Sequence, residues 1–592
     1  MYGSGIEKPK VAFSSIDYTE ISPGSYFIAF DLDNGGKLSK MDNLGNITVI
    51  EADATADGVI RVGLGTGSSY RICNLNSASG CYSTVSGGKE NLANCNSSTI
   101  SGGSNNTSSS FYSTVAGGCC NTASGYYSTI GGGNSNVICS IKSTISGGEL
   151  NLIGTSSSYY NCEIMGNVIA GGSINRICSA SGYYEGGGHT ISGGWCNVIT
   201  CSGGYPASVT ISGGEKNSAS FCASTVGGGK ENIVFGDFAT VSGGVNNSAS
   251  FCASTVGGGS SNTSSGINST ISGGASNTAS GYRSTVSGGL CNIASGGAST
   301  ISGGSNNTAS NFWSTIGGGY KNTASFLWST VGGGCNNIAS GTFSVISGGF
   351  DNMATCDNST VGGGQCNTAL SERSTISGGY NNIVSGFANV SVIGGGGRNC
   401  VTGAFSVISG GCKNTASGYH SIIGGGACNI TSGSLTTVSG GYKNTASVWQ
   451  STVSGGCSNT ASSYWSTVGG GRNNTASGCY STVGGGRNNI TSGNCSTIGG
   501  GSSNTSSGTD STISGGCRNS ASGCASAILG GICNSTNNRA YAMIVGSNIT
   551  AVCNCTLHAN CLLLANIPTE SSAPFAPGVV YKCSLTGALH IA

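Results

Sequence analysis

Polar and apolar positions along most of this chain recur every 15 residues. The recurring phrase is S-T-V/I-x-G-G, and its Ser serves as position zero of a rung. That Ser falls at Ser83, Ser98, Ser113, Ser128 and Ser143. Three irregular rungs follow, starting at Asn167, His189 and Val209, and the count resumes at Ser224 and runs to Ser374. After a slip of two residues to Ser391 the period holds to Ser526, with a degenerate last rung at Ala542. A fixed period of this length is the mark of a solenoid, in which each repeat packs only on its neighbours.

The rung from Ser284 to Ala298 shows what the pattern dictates. Side chains alternate faces along a strand. Val286 and Ala294 are therefore the inward pair, one on each of two short strands. Ser284 and Asn292 share their parity, as does Gly288. Thr285, Ser287, Ile293 and Ser295 point outward. Gly288, Gly289 and Gly296 mark the two turns. Fifteen residues leave too little chain for three full strands with turns, so the expected form is a flattened roll of two sheets.

The expected fold class is all-β: a parallel β-solenoid or β-roll of roughly 30 rungs. Stacked at ~4.8 Å per rung, they would make a rod on the order of 140 Å long. One Val and one Ala per rung bury little apolar surface, at about 25 cal/mol per Å², against the entropy of ordering the rung. Two features can close that gap. Asn292, Asn307, Asn322 and Asn337 fall at one register position and can form a hydrogen-bonded ladder along the stack. Self-association, expected as a homotrimer, can bury the outer Thr and Ile faces.

Composition supports a repeat rather than disorder. Glycine is 107 of 592 residues, proline 6, and charged residues 7%. Net charge is only +1, which gives no overall footprint for nucleic acid. No apolar run approaches a membrane span, and residues 1–13 lack the apolar region of a secretory signal. Export by lysis or inside a particle is the expectation. The 29 cysteines have no repeating disulfide spacing. Most are expected to be free, including the adjacent Cys119 and Cys120.

Nine of the 21 acidic residues precede position 58, which sets off residues 1–60 as a small β-rich attachment domain. Residues 61–82 form a transition, 83–550 the repeat shaft with insertions at 150–208, and 551–592 a C-terminal tip of two short strands around a turn.

The insertions lengthen three rungs by about nine, seven and five residues. Tyr159, Tyr183 and Tyr205 fall at the same distance from their rung starts, with Tyr160, Tyr184 and Glu185 alongside. Aromatic faces with a carboxylate can bind sugars; equally, such loops can pack on each other or on a neighbouring chain. A second aromatic set immediately precedes rung starts: Tyr82, Tyr112, Tyr127, Trp313, Trp328, Phe343, Trp465 and Tyr480. It reads either as a subunit seam or as an exposed glycan-binding stripe.

Neither a catalytic nor a metal site is expected. The four histidines (His189, His420, His558 and His590) fit no triad or metal spacing. Glu149, Glu163 and Glu185 are the carboxylates nearest the insertions, where a glycan-cleaving pair would have to sit. The Gly-Gly-Gly runs are turns, since no helix follows them to form a phosphate loop. No cofactor is implied.

The phrase S-T-V-x-G-G-x-x-N-T-A-S-G resembles the head repeats of trimeric autotransporter adhesins. That resemblance implies a left-handed parallel β-roll assembled as a trimer. Similar arrays occur in bacteriophage tail-fibre proteins, and residues 25–51 and 567–591 resemble modules of phage structural proteins. Neither the adhesins' long heptad stalk nor their membrane-anchor barrel is expected from these residues. The resemblance therefore implies a virion fibre located on the particle, attached at its N-terminus to the virion or a neighbouring fibre protein. It would contact a host-surface glycan or protein, with neither nucleic acid nor membrane insertion as a partner. A bacterial surface adhesin or extracellular filament subunit, and a glycan depolymerase, are the alternatives.

Overall fold

The structure is a computed structural model. It describes residues 75–154, 165–179, 187–201 and 208–560, together with short strands nearer the termini. The chain is all-β, a parallel β-solenoid of about 31 turns with a period of roughly 15 residues. It divides into two compact units, Met1–Gly273 and Gly274–Ala592.

In the second unit the rung read from sequence appears as two strands of two residues each, Thr285–Val286 and Ile293–Ala294. Each pairs in parallel with the same position of the next rung: Val286 with Ile301, Ala294 with Ala309. Val286, Ala294, Ser284 and Asn292 are fully buried, while Thr285, Ser287, Ile293 and Ser295 face outward. The alternation expected from parity holds along each strand.

Parity fails across the turn. Gly288 lies outside the core, and a Cβ built there would meet nothing within 4 Å. Its neighbour Gly289 has φ +94°, and its Cβ would lie 2.0 Å from the carbonyl oxygen of Gly304. Only glycine fits that second site, which combines a left-handed backbone with direct contact on the next rung.

This turn also carries a third line of pairing, one residue per rung. Leu290 bridges Ser305, Ser305 bridges Tyr320, and Tyr320 bridges Cys335, all in parallel. A bridge one residue long has no alternation, so the hydrophobic pattern does not disclose it.

Small core side chains are supplemented by the asparagine ladder. The backbone N–H of Asn292 donates to Oδ1 of Asn277 at 3.0 Å, and those of Asn307, Asn322 and Asn337 repeat the bond at 2.9–3.0 Å. Each of the four side-chain Nδ2 groups also donates to two glycine carbonyls, one in its own turn and one in the next rung; for Asn292 these are Gly288 and Gly304, both at 2.9 Å. Buried amides are thus satisfied on both donor and acceptor sides, where an unmade bond would cost about 1–3 kcal/mol. The ladder tethers the glycine turn of every rung to the next.

The first unit has the same build. Thr84–Val85 pairs with Thr99–Ile100, and Leu92–Ala93 with Thr107–Ser108. Its pairing runs through the lengthened rungs: Ile145 to Ile169, Ile191 and Ile211 in one sheet, and Ile153 to Ile177, Ile199 and Ala219 in the other. The Asn ladder also continues from Asn151 through Asn175 and Asn197 to Asn217. Isoleucine replaces alanine in the second sheet here, so these rungs have the fuller core. His189 stands at a Ser position. Its N–H donates to Asn167 Oδ1 at 3.0 Å, and its Nδ1 accepts the Val209 N–H at 3.1 Å. The ring continues a local acceptor ladder, with Nδ1 in the unprotonated state.

Four strands, Lys10–Val11, Tyr26–Asp31, Lys37–Asp42 and Ile47–Val49, form a separate sheet. Ile60–Val62 pairs antiparallel with Ser69–Arg71, which joins Thr84–Val85 in the solenoid's first sheet. In the second unit, Ala527–Ile528 pairs with Met543–Val545, and that strand with Leu557–Ala559. Val580–Lys582 and Leu589–Ile591 form an antiparallel pair.

Candidate functional site

The aromatic residues that precede rung starts occupy one turn of the coil, and its backbone explains their arrangement. In the second unit, the Ser314 N–H and Oγ both bond back to the Asn311 carbonyl, at 3.1 and 2.7 Å. Trp313 then takes φ +55°, and its N–H reaches the preceding rung at the Gly297 carbonyl, 2.8 Å away. Trp328 and Phe343 repeat the conformation at +59° and +55°, as do Trp465 and Tyr480 at +55° and +60°. A bulky side chain in the left-handed region costs roughly 1–2 kcal/mol. Asn, which tolerates the region, stands at the equivalent positions Asn268 and Asn358. Arg283, Ala298, Arg373 and Gln450 take the same conformation, so the left-handed backbone belongs to the turn, and what the aromatic rungs add is ring stacking.

The strain is partly offset by stacking. Trp313 and Trp328 lie parallel with ring centroids 4.6 Å apart, and Phe343 continues the column at 6.2 Å. Trp465 and Tyr480 stack at 4.6 Å, and Phe405 and His420 at 4.8 Å. In the first unit Tyr112 and Tyr127 stack at 4.8 Å. Rung rise and ring stacking have nearly the same spacing, so a shared register position yields a column. These rings remain well exposed: Trp313 is 45%, Trp328 43% and Tyr480 55% accessible.

Sequence reasoning missed the second file beside this column. Residues one position earlier are also often aromatic, and they pack edge-on or tilted. Trp449 meets Trp465 at 4.5 Å and 83°, and Tyr126 meets Tyr127 at 4.6 Å and 85°. The same period, read one position earlier, contains that signal.

The geometry decides what the stripe offers. In a column of parallel rings the faces cover each other, and the exposed parts are the edges. A sugar stacks on an aromatic face, and within the columns only the end faces are free. Edges of regularly spaced rings instead suit interdigitation with another regularly spaced surface.

The opposite turn carries different chemistry. Tyr320, Tyr380 and Tyr442 sit on its bridge line, exposed, with Lys321, Arg398 and Lys443 over their rings at 5.1, 5.8 and 5.1 Å. In the first unit Lys216 lies 5.1 Å from the Trp195 ring, Lys230 pairs with Glu215 at 3.0 Å, and Lys216 with Glu231 at 3.8 Å.

Cys119, Cys120, Cys400 and Cys412 are free thiols. The Cys119 and Cys120 sulfurs lie 3.2 Å apart, and Cys119 raises the Cys120 thiol above its usual range, chiefly by hydrogen bonding. Burial pushes the Cys400 thiol up. Tyr159, Tyr160, Tyr183, Tyr184, Glu185 and Tyr205 all lie outside the described residues, as does Glu163. Among the described residues no three His, Cys, Asp or Glu side chains converge as a metal-binding group, and no helix is long and apolar enough to cross a membrane.

No family model matches the sequence, and no curated protein is significantly similar to it.

Proposed function

We propose that this chain is the self-associating shaft of an adhesive fibre, borne on a virus particle such as a phage and contributing to attachment at a host surface. A β-solenoid is compatible with such a fibre-like or adhesin-like structural role. The observation that carries the proposal is the exposed column of aromatic rings stacked at the rung spacing.

Self-association follows from matching spacing. A surface that engages ring edges along successive rungs must itself repeat at the rung rise, and a second copy of this chain does so. Closed symmetry is the usual form of such assemblies, and the repeat's resemblance to trimeric fibre proteins favours three copies. In this reading the N-terminal domain joins the shaft to the particle or to a neighbouring fibre protein. The shaft acts mechanically, repeating weak surface contacts that sum through multivalency.

The test is molar mass by light scattering, on the native chain and on Trp328→Asn with Trp465→Asn. Asparagine suits the left-handed backbone, so the variant keeps its rungs. The expected result is an oligomer for the native chain and a lower mass, or marked concentration dependence, for the variant. A variant mass equal to that of the native oligomer would remove the aromatic seam from the proposal.

A further inference from the structure

The net charge of +1 hides a segregation. Between residues 374 and 560 the sequence contains one acidic residue, Asp510, and it lies on the aromatic turn immediately before Ser511. Of the seven Lys and Arg residues in this stretch, six, Arg398, Lys413, Lys443, Arg472, Arg487 and Arg518, occupy the other turn, six or seven residues after a rung start; the seventh, Arg539, lies thirteen residues after Ser526. All six are exposed.

Two details show that this edge is built rather than scattered. Arg472 and Arg487 are direct bridge partners on adjacent rungs, with no carboxylate on either rung. Like charges directly opposite on neighbouring strands are destabilising, so the pair is suited to sharing an anion. Asn473 and Asn488 stand beside them, linked by an amide hydrogen bond at 3.2 Å, and add polar groups that hydroxyls can bond. The first unit shows what the same turn looks like when neutralised, with Lys216, Lys230, Glu215 and Glu231 paired across rungs. Between residues 374 and 560 this turn carries no acid, and the cations remain.

We propose that the edge running from Arg398 to Arg518 binds a linear anionic polysaccharide, carboxylated or sulfated, laid along the stack. It rests on the attachment role proposed above for its biological meaning, though not on self-association. The six cations span eight rung steps, roughly 38 Å at the parallel-strand spacing, so an extended polymer meets them in succession. A single-stranded nucleic acid would also be attracted, but its affinity draws on free aromatic faces for base stacking. Here the Tyr380 and Tyr442 rings each carry a cation, at 5.8 and 5.1 Å. The edge supplies charge and amide groups, which match a polymer of hydroxyls and anions.

The test uses the full chain immobilised and probed with dextran sulfate, polygalacturonate, neutral dextran and single-stranded DNA. Expected is binding of at least one anionic polysaccharide, weakening as salt rises, with no response to neutral dextran. Arg472→Glu with Arg487→Glu should reduce that binding at least tenfold. Arg283→Glu, a cation on the aromatic turn, should leave it within twofold. Molar mass measured on the same samples separates this proposal from the shaft reading: lost binding at unchanged mass supports the basic edge whatever the oligomeric state. Undiminished binding in the double variant, equal binding of neutral dextran, no binding of either anionic polymer, or tighter binding of DNA than of both would overturn it.

Discussion

Replacing Asn322 by Ala probes the bonds that hold one rung to the next. Asn322 is fully buried, and its side chain takes part in four hydrogen bonds. Its Oδ1 accepts from the N–H and Nδ2 of Asn337, at 3.0 and 3.1 Å. Its Nδ2 donates to the carbonyls of Gly318 and Gly334, both at 2.9 Å. Alanine preserves the strand and removes all four. At about 1 kcal/mol for each of the four bonds, the expected cost is about 4 kcal/mol. Because a solenoid's stability is carried by nearest-neighbour interfaces, the loss should be local. Hydrogen exchange of the full chain, read by mass spectrometry on peptides spanning 315–338, should be about 10²–10³ times faster, while peptides several rungs away change little. Asn322→Asp should be at least as damaging, since it sets a carboxylate against two carbonyls. Thr323→Ala, on the outer face of the same strand, is the control. If Asn322→Ala accelerates exchange no more than that control, the ladder does not hold the rungs together as argued.

Adjacent glycines should respond in opposite ways. At Gly411 (φ +89°) a Cβ would meet the Gly426 carbonyl oxygen at 2.0 Å, whereas at Gly410 it would meet nothing within 4 Å. Gly411→Ala should therefore disrupt the local rungs, and Gly410→Ala should be neutral or stabilising by up to about 1 kcal/mol, both measured by the same exchange assay. Trp313→Asn should slow local exchange slightly or leave it unchanged, because the relief of left-handed strain offsets lost stacking; a large acceleration would refute the strain assignment. Burial raises the Cys400 thiol, so it should alkylate more slowly than the exposed Cys412 near pH 8, as read by mass spectrometry. With the folded thiol raised, any contribution of Cys400 to stability is complete below the free-thiol range and falls as pH rises through it; a gain in stability there would contradict the burial argument.

Much of this fold is legible because strand geometry imposes a period of two on a longer repeat. Val286, Ala294, Ser284 and Asn292 declare their burial by parity, and Asn292 to Asn337 declare a ladder by sharing one position. What sequence concealed lies at the turns, where parity resets. Gly288 has the parity of the core yet sits outside it, and the bridge line at Leu290, Ser305 and Tyr320 has one residue per rung and hence no alternation. The aromatic stripe was visible as a register position. Its left-handed backbone was not, because Trp and Phe are not residues that signal positive φ, and no propensity rule would place them there. The basic edge was hidden by a net charge near zero, and emerges only when each charge is assigned to a turn.

The central claim is that the solenoid works as a self-associated shaft, with aromatic ring edges buried between copies. Molar mass of the full chain in solution, by light scattering after size-exclusion chromatography, tests it most directly. The expected mass is about three times that of the 58.0 kDa chain, unchanged on dilution. A stable monomer of 58.0 kDa at every concentration would contradict it, leaving the Trp313 and Trp465 columns exposed with nothing to cover them.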